Sequence, residues 1–233
     1  WGYGTEIANI AALTPAGPEP AADVELVQQQ FDMNALLAGD IDAAEAMTYN
    51  EYAQVLEAEN PATGELYQPE DLNVISYEEE GVGMLQDAIW ASGTRLASDS
   101  TYKDTAVRFV AASLQGWAYC RDNAQSCADI VVSKGSMLGA SHQLWQMNEV
   151  NKLIWPAAGG AGYIDSDAWT RTATLSQETK NLEGSTVISA APDAGAYTNE
   201  IVEAAWAILE GLGIDINGEG FAPIEVTLNP GGA

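Results

Sequence analysis

The chain has 233 residues, of which 47% are apolar and seven are tryptophan, so it can bury a core and is not a disordered chain. It carries 34 acidic and 8 basic residues, which gives a formal net charge of −26. Such a surface repels phosphate backbones and anionic lipids, so nucleic acid and anionic membranes are excluded as partners. We attribute the acidic balance to solubility rather than to a specific cation site.

The first residues do not form a signal peptide, because they lack a basic start and an apolar stretch. Trp1 is typical of a residue that ends a strand, and residues 2–5 are typical of a tight loop. We therefore expect the sequence to lack an N-terminal part of the protein. The helix predicted after this loop has Ile7, Ile10 and Ala11 on one face.

Residues 24–77 alternate between short apolar runs and helix signals. Strands are predicted at residues 24–27, 41–47 and 73–77. One helix is predicted from Asp32 through Leu37, stopped by Gly39. Another is predicted to run to about Ala58 from Thr48-Tyr49-Asn50-Glu51, which has the spacing of a capping box. The β-α-β-α-β order predicts an α/β fold with a parallel sheet covered by helices.

After Gly81-Val82-Gly83 the chain is predicted to be mostly helical. Four apolar stripes recur at helical spacing: Val107, Val110, Leu114 and Trp117; Leu144, Met147, Val150 and Ile154; Trp169, Thr172 and Leu175; Ile201, Ala205, Ile208 and Leu212. We interpret these stripes as core rather than as cofactor faces. The change near Gly81 predicts a crossover, which divides the chain into residues 1–80 and residues 81–233.

The two cysteines, Cys120 and Cys127, do not have the spacing of a zinc or redox site, since there is no second pair and no C-x-x-C motif. We predict a disulfide that joins two helices across a turn, which would indicate an oxidising compartment. The alternative is two free cysteines near a helix end.

The segments that carry a resemblance are Phe31-Asp32-Met33, Gly39-Asp40-Ile41-Asp42-Ala43-Ala44, Met47-Thr48-Tyr49-Asn50-Glu51, Gly81-Val82-Gly83-Met84-Leu85-Gln86-Asp87, Gly116-Trp117-Ala118-Tyr119-Cys120-Arg121-Asp122-Asn123, Asn151-Lys152-Leu153-Ile154-Trp155-Pro156, and Gly162-Tyr163-Ile164-Asp165 with Trp169. These segments resemble the periplasmic binding proteins for thiamine-pyrimidine precursors and related compounds, whose relatives bind riboflavin or sulfonates. Fungal pyrimidine synthases share this fold. Each segment is short, but their order and spacing follow the family along nearly the whole chain.

The resemblance implies a type II periplasmic-binding-protein fold, with two lobes built on parallel-type sheets, a helix-rich C-terminal half and a ligand between the lobes. It implies that residues 1–80 form the second lobe and that residues 81–233 form the crossover and the C-terminal part of the first lobe. The first part of the first lobe would then be missing. A protein of this kind works in the periplasm or outside the cell, where an N-terminal lipoprotein segment can anchor it to the membrane. Its partners are a small aromatic ligand and the membrane permease of an ABC importer.

Two loops are expected at the carboxyl ends of the strands, where open α/β sheets bind ligands. The first is the loop of Gly2, Tyr3, Gly4 and Thr5. Its glycines allow a close backbone approach, and the following helix offers free N–H groups. The fungal synthases, which this loop resembles, use it to bind a cofactor phosphate. The alternative is an ordinary strand-to-helix turn.

The second loop contains Tyr49, Asn50 and Glu51. A tyrosine ring can stack on a flat ligand, and an amide can form paired hydrogen bonds with the edge of a heterocycle. In a capping box, however, the carboxylate of Glu51 would bond the backbone N–H of Thr48 and be less available to a ligand. We therefore rank Tyr49 and Asn50 above Glu51 as ligand-binding residues.

The remaining candidates lie in loops and turns. Phe31 follows a predicted strand and is either a wall of the site or a core residue. Trp155 lies in an irregular loop, as does Tyr163, and either contacts the ligand or fills a core. Gly81 and Gly83 suit a hinge or a close backbone approach.

The leading functional hypothesis is a transport receptor that captures a small heteroaromatic nutrient. The alternatives are an enzyme related to the pyrimidine synthases and an acidic interaction protein without a ligand. In the synthases a cysteine cluster corresponds to the stretch from Gly81 to Leu85, which contains no cysteine here. The single histidine, His142, is interpreted as a surface or packing residue of a helix. No catalytic residue, metal ligand or cofactor is predicted.

Overall fold

The computed structural model of the protein describes residues 6–13, 20–135 and 137–231, and within these residues the chain is mostly helical. The helices are α1 (Glu6–Leu13), α2 (Pro20–Asp23), α3 (Asn34–Ala38), α4 (Glu51–Leu56), α5 (Gly93–Ser98), α6 (Ser100–Asp122), α7 (Ala124–Lys134), α8 (Ala140–Ile154), α9 (Ser166–Glu178) and α10 (Glu200–Gly211). A short 3₁₀ helix covers Pro69–Asp71. The strands are β1 (Glu59–Asn60) and β2 (Glu65–Leu66).

The chain divides into two compact units, each assembled from separate stretches. The first unit contains Trp1–Met47, Tyr67–Gln86 and Ile164–Ala196. The second unit contains Thr48–Leu66, Asp87–Tyr163 and Tyr197–Ala233. One passage between the units, at residues 86–87, lies close to the crossover expected near Gly81. The division into lobes at residue 80 stays a prediction.

The parallel sheet that the sequence predicts is not formed by the described residues. Residues 24–27 and 41–47 are neither helix nor strand, and residues 73–77 lead into a turn. The two strands that pair, β1 and β2, form a small antiparallel hairpin in which Glu59 lies opposite Leu66. The prediction of strands was wrong for these segments because an apolar run becomes a strand only when its backbone finds ladder partners.

A side chain supplies the missing partner at one of these predicted strands. The amide of Gln29 donates from Nε2 to the carbonyl oxygen of Glu45 at 2.8 Å and accepts from the Glu45 backbone N–H at 3.0 Å. These two bonds are the pair that a neighbouring strand would form with a single residue. Gln29 is buried, so its amide satisfies the Glu45 backbone where water has little access.

Two other local signals in the first unit are confirmed, the buried face of the first helix and the glycine stop of the third. Helix α1 buries Ile7, Ile10 and Ala11, the face that the sequence predicts, and packs against α9. Helix α3 ends where Gly39 adopts a φ of 75°, a left-handed conformation that favours glycine. The side chain of Asp32 accepts the N–H of Asn34 at 2.9 Å, but the N-cap of α3 is Met33, which forms no side-chain cap bond, so the helix begins one residue later than a cap at Asp32 predicts.

The second unit has its core where α6 packs against α10. The buried members of this core are Ala111, Leu114, Trp155, Ala161, Val202, Ala205 and Leu209. Ala205 is fully buried, and its small side chain lets the two helices approach closely. The core therefore joins two helices that are about 100 residues apart in sequence.

The buried face of α10 differs from the predicted stripe. Ile201 and Ala205 are buried as expected, but Ile208 is 40% exposed and Leu212 is 63% exposed. Val202 and Leu209 are buried in their place. Two adjacent faces of this helix are apolar, so periodicity alone does not choose between them, and packing against α6 decides the orientation.

The disulfide predicted between Cys120 and Cys127 is present and joins the end of α6 to the start of α7. The two Cα atoms are 5.6 Å apart, a separation that a disulfide normally spans. Beside it, the Tyr119 hydroxyl and the Ser126 hydroxyl are 3.0 Å apart and form a second link across the same turn. Among the described residues, no helix is both long and apolar enough to cross a membrane.

Candidate functional site

The candidate site lies in the second unit, where the loop before α4 meets α8. Asn50 is the N-cap residue of α4, and the helix begins at Glu51. The capping-box spacing had placed the N-cap at Thr48, so the helix starts two residues later than expected. The backbone carbonyl of Thr48 accepts a hydrogen bond from Nε1 of Trp145 at 3.0 Å, which holds this residue in the loop rather than in the helix.

His142 of α8 connects the two ends of α4. Its Nδ1 is 3.0 Å from Oε2 of Glu57, the C-cap residue, and its Nε2 is 2.8 Å from Oδ1 of Asn50. The amide nitrogen of Asn50 in turn donates to Oε1 of Glu51 at 3.1 Å. His142, Glu57 and Glu51 are each at most 4% exposed. The result is a buried chain of polar contacts that runs from Glu57 through His142 and Asn50 to Glu51.

This buried network makes His142 more than a packing residue. The sequence places it on a helix, which is correct, but its side chain is almost fully buried and both ring nitrogens contact oxygen atoms. Among the described residues, the other carboxylate oxygen of Glu57 has no hydrogen-bond partner. Glu57 therefore depends on His142 for its side-chain contact, and removing either partner would leave a buried polar group unpaired.

The most buried residues of α8 are polar rather than the apolar stripe that the sequence predicts. They are His142, Gln143, Asn148 and Asn151. The predicted stripe, which includes Leu144 and Ile154, is only partly buried. Backbone groups of other segments are held by this polar face, because Asn148 accepts the N–H of Ile224 at 2.9 Å and Asn151 donates to the carbonyl of Cys120 at 3.3 Å. The sequence did not predict this buried polar face because the periodicity of apolar residues carries no information about buried polar ones.

Partly buried aromatic rings surround the loop. The rings of Tyr52 and Trp145 lie 6.3 Å apart at an angle of 43°. Tyr49 is also partly buried, and burial raises the pKa of its hydroxyl, as do the charges of Asp87 and Glu51. An aromatic ring beside an amide can bind a flat heterocycle, since the ring stacks on the ligand and the amide forms hydrogen bonds with its edge.

Asp87 belongs to the same unit as the candidate loop. It is exposed and adopts a φ of 54°, a left-handed backbone conformation that is uncommon outside glycine. Its charge acts on the Tyr49 hydroxyl. The sequence places Asp87 inside an apolar stretch, which is the signal that could have singled it out.

The predicted site residues are thus only partly brought together. Asn50, next to Tyr49 in the loop, contacts both Glu51 at the start of α4 and His142 of α8. The loop of Gly2, Tyr3, Gly4 and Thr5 lies outside the described residues, and its ligand role stays a prediction. Phe31 belongs to the first unit and is 75% exposed. It is therefore not a core residue in this structure.

The predicted hinge glycines occupy a tight turn of the first unit. Gly81 has a φ of 75° and closes the turn through its N–H, which donates to the carbonyl of Glu78 at 3.1 Å. The carbonyl of Gly83 accepts from Nε of Arg171 at 2.7 Å, and Arg171 also bonds both carboxylate oxygens of Glu78 at 3.2 Å. These contacts hold the turn on α9. A hinge role for the two glycines stays a prediction.

Trp155 is a core residue, 3% exposed, which supports the second of the two interpretations considered for it. The guanidinium carbon of Arg121 lies 4.7 Å from the centre of its ring, and Gly218 packs against the ring edge. Arg121 is anchored in turn by the carbonyl and carboxylate of Asp215, at 3.0 and 3.3 Å. In this position Trp155 stabilises the second unit and offers no open surface to a ligand.

Tyr163, the other loop aromatic, is 46% exposed and stacks on Trp206 with ring centres 5.9 Å apart. It lies in the second unit, as the candidate loop does, but its contacts are with the α6–α10 core. The described residues contain no group of three or more histidine, cysteine, aspartate or glutamate side chains that could hold a metal ion.

The family model described as NMT1/THI5 like matches residues 1–126 of the 233. The chain belongs to this family. The matched range contains the similar segments up to residue 123, while those that include Trp155 and Tyr163 lie beyond it. No curated protein and no solved structure matches the chain significantly.

Membership confirms the resemblance seen in the sequence. This family contains ABC-transporter substrate-binding proteins and proteins related to thiamine-pyrimidine synthases, and it implies the periplasmic-binding fold. The described residues nevertheless form one small antiparallel hairpin and no parallel sheet. The loop of Tyr49, Asn50 and Glu51 lies within the matched range, whereas His142 and Trp145 lie outside it.

Proposed function

We propose that the protein is the ligand-capturing component of an ABC importer, and that it binds a small heteroaromatic nutrient such as a thiamine pyrimidine precursor. Membership of the NMT1/THI5-like family supports a small-molecule ligand. The observation that carries the proposal is the loop of Tyr49 and Asn50, where a partly buried aromatic ring stands beside an amide held by buried partners.

The chemistry of recognition follows from these two side chains. The Tyr49 ring offers a stacking face for a flat ligand, and the Asn50 amide offers hydrogen bonds to the ligand edge. Tyr52 and Trp145 add apolar surface beside them. The low content of lysine and arginine favours a neutral or cationic heterocycle over an anion such as a sulfonate.

The proposed partner of the loaded protein is a membrane permease, and the proposed place of action is the periplasm or the cell exterior. The disulfide between Cys120 and Cys127 supports this location, since such bonds persist in oxidising compartments.

A binding panel tests the proposal. Purified protein is mixed with hydroxymethylpyrimidine, riboflavin or a simple alkyl sulfonate and examined by native mass spectrometry and titration calorimetry. We expect one-to-one binding of a heteroaromatic compound, with compaction in small-angle X-ray scattering. The proposal fails if no heteroaromatic compound in the panel binds.

A matched pair of variants locates the site. Tyr49→Leu is expected to weaken binding about fivefold, because stacking on an aromatic ring contributes roughly 1 kcal/mol beyond apolar burial. Tyr119→Leu is the control, since Tyr119 is a half-exposed tyrosine of the same unit that contacts Ser126. Equal affinities of the two variants would move the site away from Tyr49.

A second candidate function is an enzyme of the pyrimidine-synthase branch. The buried pair of Glu57 and His142 favours it, because a carboxylate that orients a histidine is a common arrangement in acid–base catalysis. Burial weighs against it, since His142 is 1% exposed and both of its nitrogens are occupied. Appearance of a pyridoxal Schiff-base absorbance after addition of pyridoxal phosphate would favour the enzyme.

A further inference from the structure

The two nitrogen atoms of His142 have different tasks. Nδ1 faces the carboxylate of Glu57, and Nε2 faces the amide oxygen of Asn50. A carbonyl oxygen only accepts hydrogen bonds, so Nε2 carries a proton in this arrangement, and the contact between Nδ1 and Glu57 requires one further proton, on Nδ1 or on the carboxyl group. The proton on Nε2 therefore selects which atom of the Asn50 amide points toward the histidine.

The carboxylate of Glu51 enforces the same orientation from the other side. Its Oε1 accepts a hydrogen bond from the Asn50 amide nitrogen at 3.1 Å. If the amide were turned over, its oxygen would face the Glu51 carboxylate and its nitrogen would compete with the proton on Nε2. The turned amide would therefore form unfavourable contacts with both Glu51 and His142, and both of these residues are almost fully buried.

We propose that His142 is a positioning residue, which sets the edge that Asn50 presents to a ligand. The inference rests on the proposed function of the Tyr49–Asn50 loop. With the oxygen held by Nε2 and one N–H held by Glu51, the second N–H of Asn50 remains for the ligand. The site then selects a heterocycle that offers an acceptor atom at that point, such as a ring nitrogen or a carbonyl oxygen.

Two substitutions of His142 separate the two tasks. In H142Q the side-chain amide nitrogen can occupy the position of Nε2 and donate to Asn50, while the contact with Glu57 is lost. In H142N the shorter amide can occupy the position of Nδ1 and reach Glu57, while the contact with Asn50 is lost. A purely structural role of the histidine would not make these two variants differ in ligand affinity.

Asn148→Ala provides the control for stability. Asn148 is 3% exposed on the same helix, and its partners are the backbone N–H of Ile224 and the carboxylate of Glu149 rather than Asn50. Its loss is expected to lower the urea midpoint of unfolding with little effect on affinity. Because H142Q leaves Glu57 unpaired, the double variant E57Q/H142Q is also measured, so that no buried carboxylate lacks a partner.

Calorimetric titration with hydroxymethylpyrimidine, or with whichever heterocycle of the panel binds wild-type protein, measures the effect. We expect H142N to bind about tenfold more weakly than wild type, the loss of roughly one oriented hydrogen bond. H142Q, E57Q/H142Q and N148A are expected to stay within about threefold of wild type. Equal affinities of H142N and H142Q overturn the inference and leave the proposed function intact.

A spectroscopic readout is independent of any ligand. The chain contains one histidine, so histidine-selective ¹⁵N labelling yields a single pair of ring signals. We expect a proton on Nε2 and a change in that signal in Asn50→Ala. An unprotonated Nε2 overturns the inference even if a ligand binds. Absence of binding to wild-type protein rejects the proposed function itself, and with it a ligand-positioning role.

Discussion

Gly218 is the position at which a single methyl group is expected to disturb the core of the second unit most directly. Its φ is 63°, and a Cβ atom there would lie 2.5 Å from Cε3 of Trp155 and 3.1 Å from Nη1 of Arg121. Trp155 is 3% exposed within a packed core, so its ring has no free space into which to move.

The matched substitution is at Gly213, which has a similar φ of 73° but no atom within 4 Å of the corresponding Cβ. Both variants place alanine in the left-handed region, which costs about 1 kcal/mol. Gly218→Ala adds overpacking, which typically costs about 1–3 kcal/mol. We therefore expect Gly213→Ala to lose about 1 kcal/mol of unfolding free energy and Gly218→Ala to lose about 2–4 kcal/mol.

Urea unfolding followed by circular dichroism and tryptophan fluorescence measures both variants. The near-ultraviolet signal reports on the packing of the tryptophans, Trp155 among them, and hydrogen exchange shows whether the loss is confined to the second unit. If the two variants lost the same free energy within about 0.5 kcal/mol, the packing of Gly218 against Trp155 would be refuted as a determinant of stability.

Three further results are expected. Replacing Cys120 and Cys127 by serine should lower the unfolding free energy by about 2.5 kcal/mol, the value for releasing a loop of about eight residues. Chemical reduction of the wild type should have the same effect. An unchanged urea midpoint would show that the turn needs no cross-link. Leu209→Ala should lower the unfolding free energy by about 2–5 kcal/mol because Leu209 is 1% exposed. Leu212→Ala, at the exposed C-cap of the same helix, should change it by less than about 0.5 kcal/mol. A larger loss for Leu212→Ala would support the helix face that periodicity predicts. The pKa of the Asp215 carboxyl is lowered chiefly by the backbone N–H groups of residues 218 and 217. Its contribution to stability is therefore present above the ordinary aspartate pKa of about 4 and is lost as the pH falls through the lower value in the folded state. When the pH is lowered from 5 to 3, the unfolding free energy of Asp215→Asn, measured by urea titration, should consequently fall less than that of the wild type. Equal decreases in the two proteins would contradict this assignment.

Short-range signals were reliable predictors of this structure. Gly39 ends α3 because glycine adopts the left-handed conformation at little cost, and this depends on one residue alone. Ile7, Ile10 and Ala11 share a buried face because the helical repeat places them together. The disulfide between Cys120 and Cys127 was also predictable, since seven positions separate the two residues across a single turn.

Predictions that needed a distant partner were less successful. Residues 41–47 have the apolar character of a strand, yet the backbone of Glu45 forms its hydrogen bonds with the side chain of Gln29 rather than with another strand. In α10 the sequence allowed two apolar faces, and only the packing of Ala205 and Leu209 against α6 distinguished them.

The candidate site shows the same division. Tyr49 and Asn50 could be chosen from the sequence because a ring beside an amide has an evident chemistry. Their partner His142 could not, since 92 positions separate it from Asn50. His142 and Trp145 are three residues apart on α8, and that spacing on one helix face was the available signal for their shared role.

The sequence by itself determined the family, the helical segments, the disulfide and the loop that carries the proposed ligand contacts, because each of these depends on residues that are close along the chain or on motif order. The tertiary structure alone decided which helix faces are buried, that Trp155 serves the core, and that Glu57, His142, Asn50 and Glu51 form one buried network. These outcomes depend on which distant surfaces exclude water from one another. A buried polar group needs a hydrogen-bond partner, and the residue that provides it can lie far away in the sequence, so local sequence does not identify it.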